Sequence, residues 1–216
     1  KGQTMKQLRQ YIRQILLTEA AKQPEDLHKY NSVIMYDSGQ TITFSLIWQN
    51  DPQNAPIETG KITITQAPAR NGPCLGAWEV IKSEVRHGWG PLLYDLAMEY
   101  AGSDGLMADR RSVSPDAMRV WTFYLNSRPD VTPKQLDVNR PTRFKGTLTP
   151  NDESDDCHQD KYFNHHYAES DDGDEGWTGT EEDVEDYLTS PMTKAFVKTG
   201  TPTTDKLKAM GKLIEK

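Results

Sequence analysis

A Gly88–Trp89–Gly90 step lies within SEVRHGWGPLLYDLAMEYAG (83–102), where a β-rich run gives way to apolar positions at helical spacing. A strand–turn–helix junction of this kind aims backbone N–H groups and the positive end of a helix dipole at one point, and phosphate is the group that fits there. Glycines at the turn permit close approach of a ligand to the backbone. The turn lacks the third glycine of a dinucleotide fingerprint and the Gly-Lys-Ser/Thr of a P-loop, so neither of those sites is implied. Two further clusters invite metal chemistry. Cys157, His158, His165 and His166 offer a thiolate and imidazoles to zinc, but their spacing matches no familiar finger. Asp171, Asp172, Asp174 and Glu175 offer carboxylates without the Asp-x-Asp-x-Asp-Gly loop and its distal Glu. Both clusters read as polar surface, and no metal is expected.

The elements that would position the turn can be read from hydrophobic period and punctuation. Residues 5–22 place Leu8, Ile12, Ile15 and Leu16 on one stripe opposite Lys6, Arg9 and Arg13, which predicts an amphipathic helix packed on the chain's own sheet or docked on a partner. Two β-rich runs flank Asp37-Ser38-Gly39, a hairpin signal, and ETGKITITQAP follows as a third strand. Asn71-Gly72-Pro73 marks a turn, and CLGAWEVIKSEV reads as a fourth strand. Pro91 suits the first turn of a helix over 90–101 that Gly102 ends, with Leu92, Leu93, Leu96, Ala97 and Tyr100 on its apolar face. GLMAD is a short fifth strand, and Ser114-Pro115-Asp116 caps a second helix. A strand–helix–strand unit needs a crossover, so part of an otherwise antiparallel sheet is expected to be parallel.

Charge is unevenly placed. Of a formal net charge of -7, residues 151–187 hold fifteen acids against Lys161 alone, a net -14 that leaves +7 on the remainder. Such a block repels itself and buries little, so 151–216 is expected to be an acidic, partly irregular extension that ends in a short basic helix capped by Thr204 or Asp205. Residues 1–150 then form the main domain. The acidic balance argues against a protein that coats nucleic acid. No apolar run reaches the roughly 20 residues of a membrane span, and the N-terminus lacks a signal-peptide pattern. Two cysteines far apart, Cys74 and Cys157, fit a reducing compartment better than a disulfide framework, so a cytoplasmic protein is expected.

In this context EVRHGWGPLL resembles the acyl-CoA pyrophosphate motif of the GNAT superfamily of N-acetyltransferases, Arg/Gln-x-x-Gly-x-Gly/Ala at the end of the fourth strand before a helix. Registering the two glycines sets the first motif position on Val85, with Arg86 one residue late. SPDAMRVWTFYLNSR resembles the family's later Asn-x-x-Ala-x-x-x-Tyr helix, with Ser114 in the Asn place, Ala117 in the Ala place and Trp121 in the Tyr place. The resemblance spans about 73–131. It implies an α/β (α+β) fold whose mixed, mostly antiparallel sheet is flanked by helices and splays after the fourth strand, with CoA lying in the V. It further implies a pyrophosphate held by the amides of Arg86, His87, Gly88, Trp89 and Gly90, with Val85 at the start of the binding motif and Ser114 nearby. More loosely, SVSPDAMRVWTFYLNSRPDV and LRQYIRQILLTEAA are similar to GNAT-like proteins of tailed phages, which would set the protein in a host cytoplasm or a virion.

By that resemblance the chain would move an acetyl group from acetyl-CoA to an amine. Glu79 on the fourth strand, or Asp109 at the end of the fifth, would take the amine proton. Trp121 cannot act as an acid, which leaves Tyr124, about 300° further round the helix, to protonate the thiolate. Arg110 and Arg111 would bind an anionic acceptor or solvate the turn. The alternative is a diverged GNAT scaffold without acyl transfer, binding a protein partner through the N-terminal helix or the acidic extension.

Overall fold

The structure is a computed structural model that describes residues 21–67, 71–86, 88–137, 149, 151–158 and 187–216. The helix expected over 5–22 lies outside the described residues except for Ala21 and Lys22, which are not helical.

Among the described residues eight strands form one sheet: β1 (Ser32–Asp37), β2 (Thr41–Trp48), β3 (Ile57–Gln66), β4 (Trp78–Val85), β5 (Leu106–Met107), β6 (Val131–Gln135), β7 (Lys194–Lys198) and β8 (Leu213–Glu215). Their order is β6-β7-β5-β4-β3-β2-β1-β8. The β1–β4 meander is antiparallel, whereas β4–β5 and β1–β8 are parallel. The fold is therefore mixed, with a mostly antiparallel sheet. Accompanying it are the helices α1 (Gly90–Ala101), α2 (Pro115–Ser127) and α3 (Pro202–Ala209). None of the described helices is long and apolar enough to cross a membrane.

Alternation along the central strands divides the core between two faces. Leu106 is registered with Phe196, and Met107 with Ala195. Leu106 and Phe196 belong to the larger cluster, with Val33, Ile42, Phe44, Leu46, Ile62 and Ile64 of the meander and the buried sides of α1 and α2. Trp121 of α2 stacks on Phe196 and meets Tyr94 of α1 edge-on, each with centroids within 5.4 Å. On the opposite face Met107 and Ala195 pack with Cys74, Ala77, Leu136 and Cys157.

That second face corrects two expectations. Cys74 and Cys157 are joined by a disulfide across 83 residues of sequence, so they are not the free thiols their spacing predicts. The bond is available because residues 154–158 return to the 71–75 turn: Cys74 N donates to Asp156 O, Leu75 N to Ser154 O and His158 N to Asn71 O. Gly72, at φ +91, lets this segment approach, since a Cβ there would lie 2.6 Å from Asp156 O. Nor is the stretch beyond 150 merely an extension. Strand β7 inserts between β5 and β6, and β8 adds to the β1 edge. The basic helix ends earlier than its pattern predicts because Gly211, at φ +64, turns the chain into β8.

The helix α1 is wrapped more widely than its leucine stripe predicts, because β7 and α3 cover its charged side. Buried Lys198 Nζ donates to Asp95 Oδ2 (2.9 Å), Glu99 Oε1 (2.5 Å) and Thr203 Oγ1 (2.9 Å). Glu99 also accepts the N–H groups of Thr203 and Thr204, so its carboxylate caps α3.

Candidate functional site

Strands β4 and β5 pair only at Trp78↔Leu106 and Glu79↔Met107. Beyond Glu79, β4 runs on to Val85 while β5 ends, and among the described residues no strand pairs with that side of β4. A bulge at Ile81, between the Ile64↔Val80 and Thr63↔Lys82 pairs, falls where the strands part. Ile81 is exposed there although large and apolar. Ser83 further along β4 hydrogen-bonds the Tyr94 hydroxyl, and burial, only partly offset by that bond, raises the pKa of Tyr94.

The glycine turn closes the far end of this opening. The last sheet bond is Arg86 N to Thr59 O, and Trp89 N donates back to Arg86 O at 3.2 Å. Gly88 has φ +89, which a side chain rarely tolerates, and its carbonyl accepts from Lys22 N. Trp89 is buried in the core, where it anchors the turn, and half-buried Val85 packs on the same core. Arg86 is exposed and His87 lies outside the described residues. Gly90 differs from Gly88: it opens α1 in ordinary helical backbone, and a Cβ there would meet nothing within 4 Å. Neither conformation nor packing explains a glycine at that position. Pro91 follows and contributes no N–H.

The expected proton-transfer residues are not gathered in one place. Glu79 shares a register position with Met107 and is 3% exposed. Its Oε1 accepts the backbone N–H of Arg110 (2.7 Å), and its Oε2 accepts Asn71 Nδ2 (3.0 Å). Arg110 is itself buried, its guanidinium donating to the carbonyls of His158, Met192 and Cys157. Glu79 therefore joins β4, the end of β5 and the disulfide-linked return segment. Asn71 was legible in the sequence only as part of a turn, and nothing in its spacing pointed to Glu79.

Asp109 is half-buried two residues beyond β5, on the diverging side. Its Oδ1 accepts the N–H groups of Arg111 and Ser112, which fixes the carboxylate on the loop that follows β5. Tyr124 lies among Tyr94, Trp121 and Phe196 on the other face of the sheet from Glu79. Its hydroxyl donates to Asp95 Oδ1 (3.1 Å), beside Arg128 and Lys198. Burial first, and then the Asp95 charge, push its pKa well up. Ser114 Oγ accepts Ala117 N and so caps α2. Among the suggested zinc ligands, Cys157 is disulfide-bonded, His158 lies beside Asn71 through its backbone, and His165 and His166 fall outside the described residues. The acids at 171–175 fall outside them as well.

Comparison with protein-family models, curated proteins and solved structures gave no match.

Proposed function

We propose that the chain is a GNAT-type N-acyltransferase that moves an acetyl group from acetyl-CoA to an amine. The observation that carries this reading is the parallel β4–β5 pair, which opens after two residue pairs and has a glycine turn and a helix N-terminus at the end of the longer strand. Acetyl-CoA would supply an activated thioester, and its fit is supported by the open space at Gly90 where the fold itself needs no glycine.

Two of the five amides expected to hold pyrophosphate, those of Arg86 and Trp89, already donate within the fold. The amides of Gly88, Gly90 and Leu92 would do the holding, with exposed Arg86 adding charge. The side of β4 beyond Glu79 would offer backbone groups to the pantetheine chain and an N–H to the developing oxyanion. Asp109 would take the amine proton. Glu79 would fix the strand junction and, through Arg110, the start of the loop that carries Asp109. Since Tyr124 directs its proton to Asp95, solvent would reprotonate the departing thiolate.

Calorimetric titration of acetyl-CoA into the native chain and into Gly90→Ala tests the reading. Native protein should bind one equivalent. The variant should melt at the same temperature or slightly higher, as alanine favours helix by up to about 1 kcal/mol, and should lose at least about tenfold in affinity. Absence of heat with millimolar acetyl-CoA would sink the enzyme reading. It would favour a diverged scaffold that binds a protein partner, a reading supported by the internal bonding of Glu79 and Tyr124.

A further inference from the structure

Away from the opening, on the disulfide face, three carboxylates converge from segments distant in sequence. Asp137 follows β6, and Asp155 and Asp156 lie on the return segment just before Cys157. All three are buried, at 2%, 7% and 8% exposure, and each offers an oxygen within 4.8 Å of the other two. Backbone bonds fix the arrangement: Asp137 N donates to Asp155 O (2.8 Å), Cys157 N donates to Asp137 O (2.7 Å), and Asp137 bridges Asp156 in parallel.

Close packing of carboxylates alone identifies no ligand, because acids also cluster by sharing donors. Here one oxygen identifies a need. Asp155 Oδ1 is fully shielded from solvent and has no hydrogen-bond partner. Its companion Oδ2 faces Thr149 Oγ1 at 2.8 Å, and that hydroxyl also lies 3.2 Å from Asp137 Oδ2. Thr149 N already donates to Asp137 Oδ2 (3.0 Å), so the hydroxyl proton can serve Asp155 Oδ2, and it is Oδ1 that is left without a donor. A buried anionic oxygen without a partner is costly. Burial accordingly raises the proton affinity of Asp155, with the charges of Asp137 and Asp152 acting in the same direction.

We infer that Asp137, Asp155 and Asp156, with Asp155 Oδ1 as the open ligand atom, form a binding site for a hard divalent cation such as Ca2+. The donors are all oxygen, the class such cations prefer. Calcium–oxygen bonds of about 2.3–2.6 Å separate ligands on opposite sides by about 5 Å and adjacent ones by less, so oxygens within 4.8 Å of each other can share one ion. Three carboxylates supplied from two segments make an irregular cage, which calcium accepts more readily than octahedral magnesium. The ion would clamp the return segment onto the end of β6. Because His158 N on that segment bonds Asn71 O, and Asn71 bonds Glu79, occupancy would also steady the β4–β5 junction.

The test uses the full oxidised chain and Asp155→Asn, stripped with chelator, melted in about 1 mM CaCl2 and in NaCl of equal ionic strength. A ligand present at about 100 times its dissociation constant should raise the melting temperature of the native chain by about 5–10 °C. Asp155→Asn retains the rest of the acidic tract, so non-specific calcium binding persists in it. It should melt in NaCl at least as high as the native chain and show no calcium-dependent rise. Equal calcium shifts in both proteins, or no shift of the native chain with Ca2+, Mg2+ or Mn2+, would overturn the assignment. Terbium luminescence on the native chain gives a reading independent of the variant's folding: one equivalent displaced by calcium supports the site, and no displaceable terbium overturns it.

Discussion

Replacing Glu79 with Gln separates a carboxylate that performs chemistry from one that holds the site together. In the fold its two oxygens accept two N–H donors, Arg110 N at 2.7 Å and Asn71 Nδ2 at 3.0 Å, at 3% exposure. Glutamine keeps one acceptor and presents an NH2 group in place of the other, so one of those donors would face a donor. The loss is one charge-assisted hydrogen bond, about 1.5–3 kcal/mol, together with part of the cost of an unsatisfied buried N–H, for a total of about 3 kcal/mol. For a chain of this size that corresponds to a fall in melting temperature of about 6–12 °C. Circular dichroism melts, with hydrogen exchange at the Arg110 amide, should show the lower transition and faster exchange at that amide. Acetyl transfer per folded molecule at low temperature should fall far less than the 10²–10⁴-fold expected for removal of a general base. A melting temperature within about 2 °C of native, combined with a loss of turnover of that size, would refute the positioning role and return the base to Glu79.

Glu99→Gln should lower stability at neutral pH by about 3–5 kcal/mol, since it leaves Lys198 buried beside a weakened partner. Burial raises the Glu99 pKa, but Lys198 and the Thr203 and Thr204 groups outweigh it and the net shift is downward from 4.5. The unfolded chain therefore binds this proton first as pH falls, and the contribution present above about pH 4.5 is lost toward the lower folded value. Urea titrations between pH 3 and 7 should show a shallower acid decline in the variant, and parallel curves would contradict the assignment. Reducing the Cys74–Cys157 bond opens a loop closed across 83 residues, which loop-closure entropy puts at about 4.5 kcal/mol. A melt with and without reductant should differ by about 10 °C or more, and coincident melts would show that the bond is not formed or does not constrain the chain. Truncation after residue 189 removes β7 and with it the partner of both β5 and β6. The remaining chain should lose cooperative melting, and a sharp transition would mean that the meander and α1 fold without it.

The parts of the fold that were legible in the sequence are those whose cause is local. The hairpin at Gly39, the Ser114 cap and the Gly102 stop each follow from residues within a few positions of one another, and the structure has β1–β2, α2 and α1 at those places. What was not legible depends on partners brought together over long separations. Lys194–Lys198 is too short and too basic to announce a central strand, and it becomes one because β5 and β6 each leave an edge that it pairs. Cys157 carries no spacing signal toward Cys74, and Asp137 carries none toward Asp155, because Gly72 and the return segment set both distances. The same distinction applies within the candidate site. The glycine turn could be read from GWGP, whereas the use of Glu79 and Tyr124 depended on Asn71, Arg110 and Asp95, which lie 8, 31 and 29 positions from the residues they bond. Composition placed an acid on a strand and a tyrosine on a helix. Whether either can exchange a proton with a ligand is decided by the donor or acceptor already within 3.1 Å of it, and for both residues that position is filled from within the fold. Asp109 commits Oδ1 to its own loop, so in the proposed acyl transfer its other carboxylate oxygen, Oδ2, would take the amine proton.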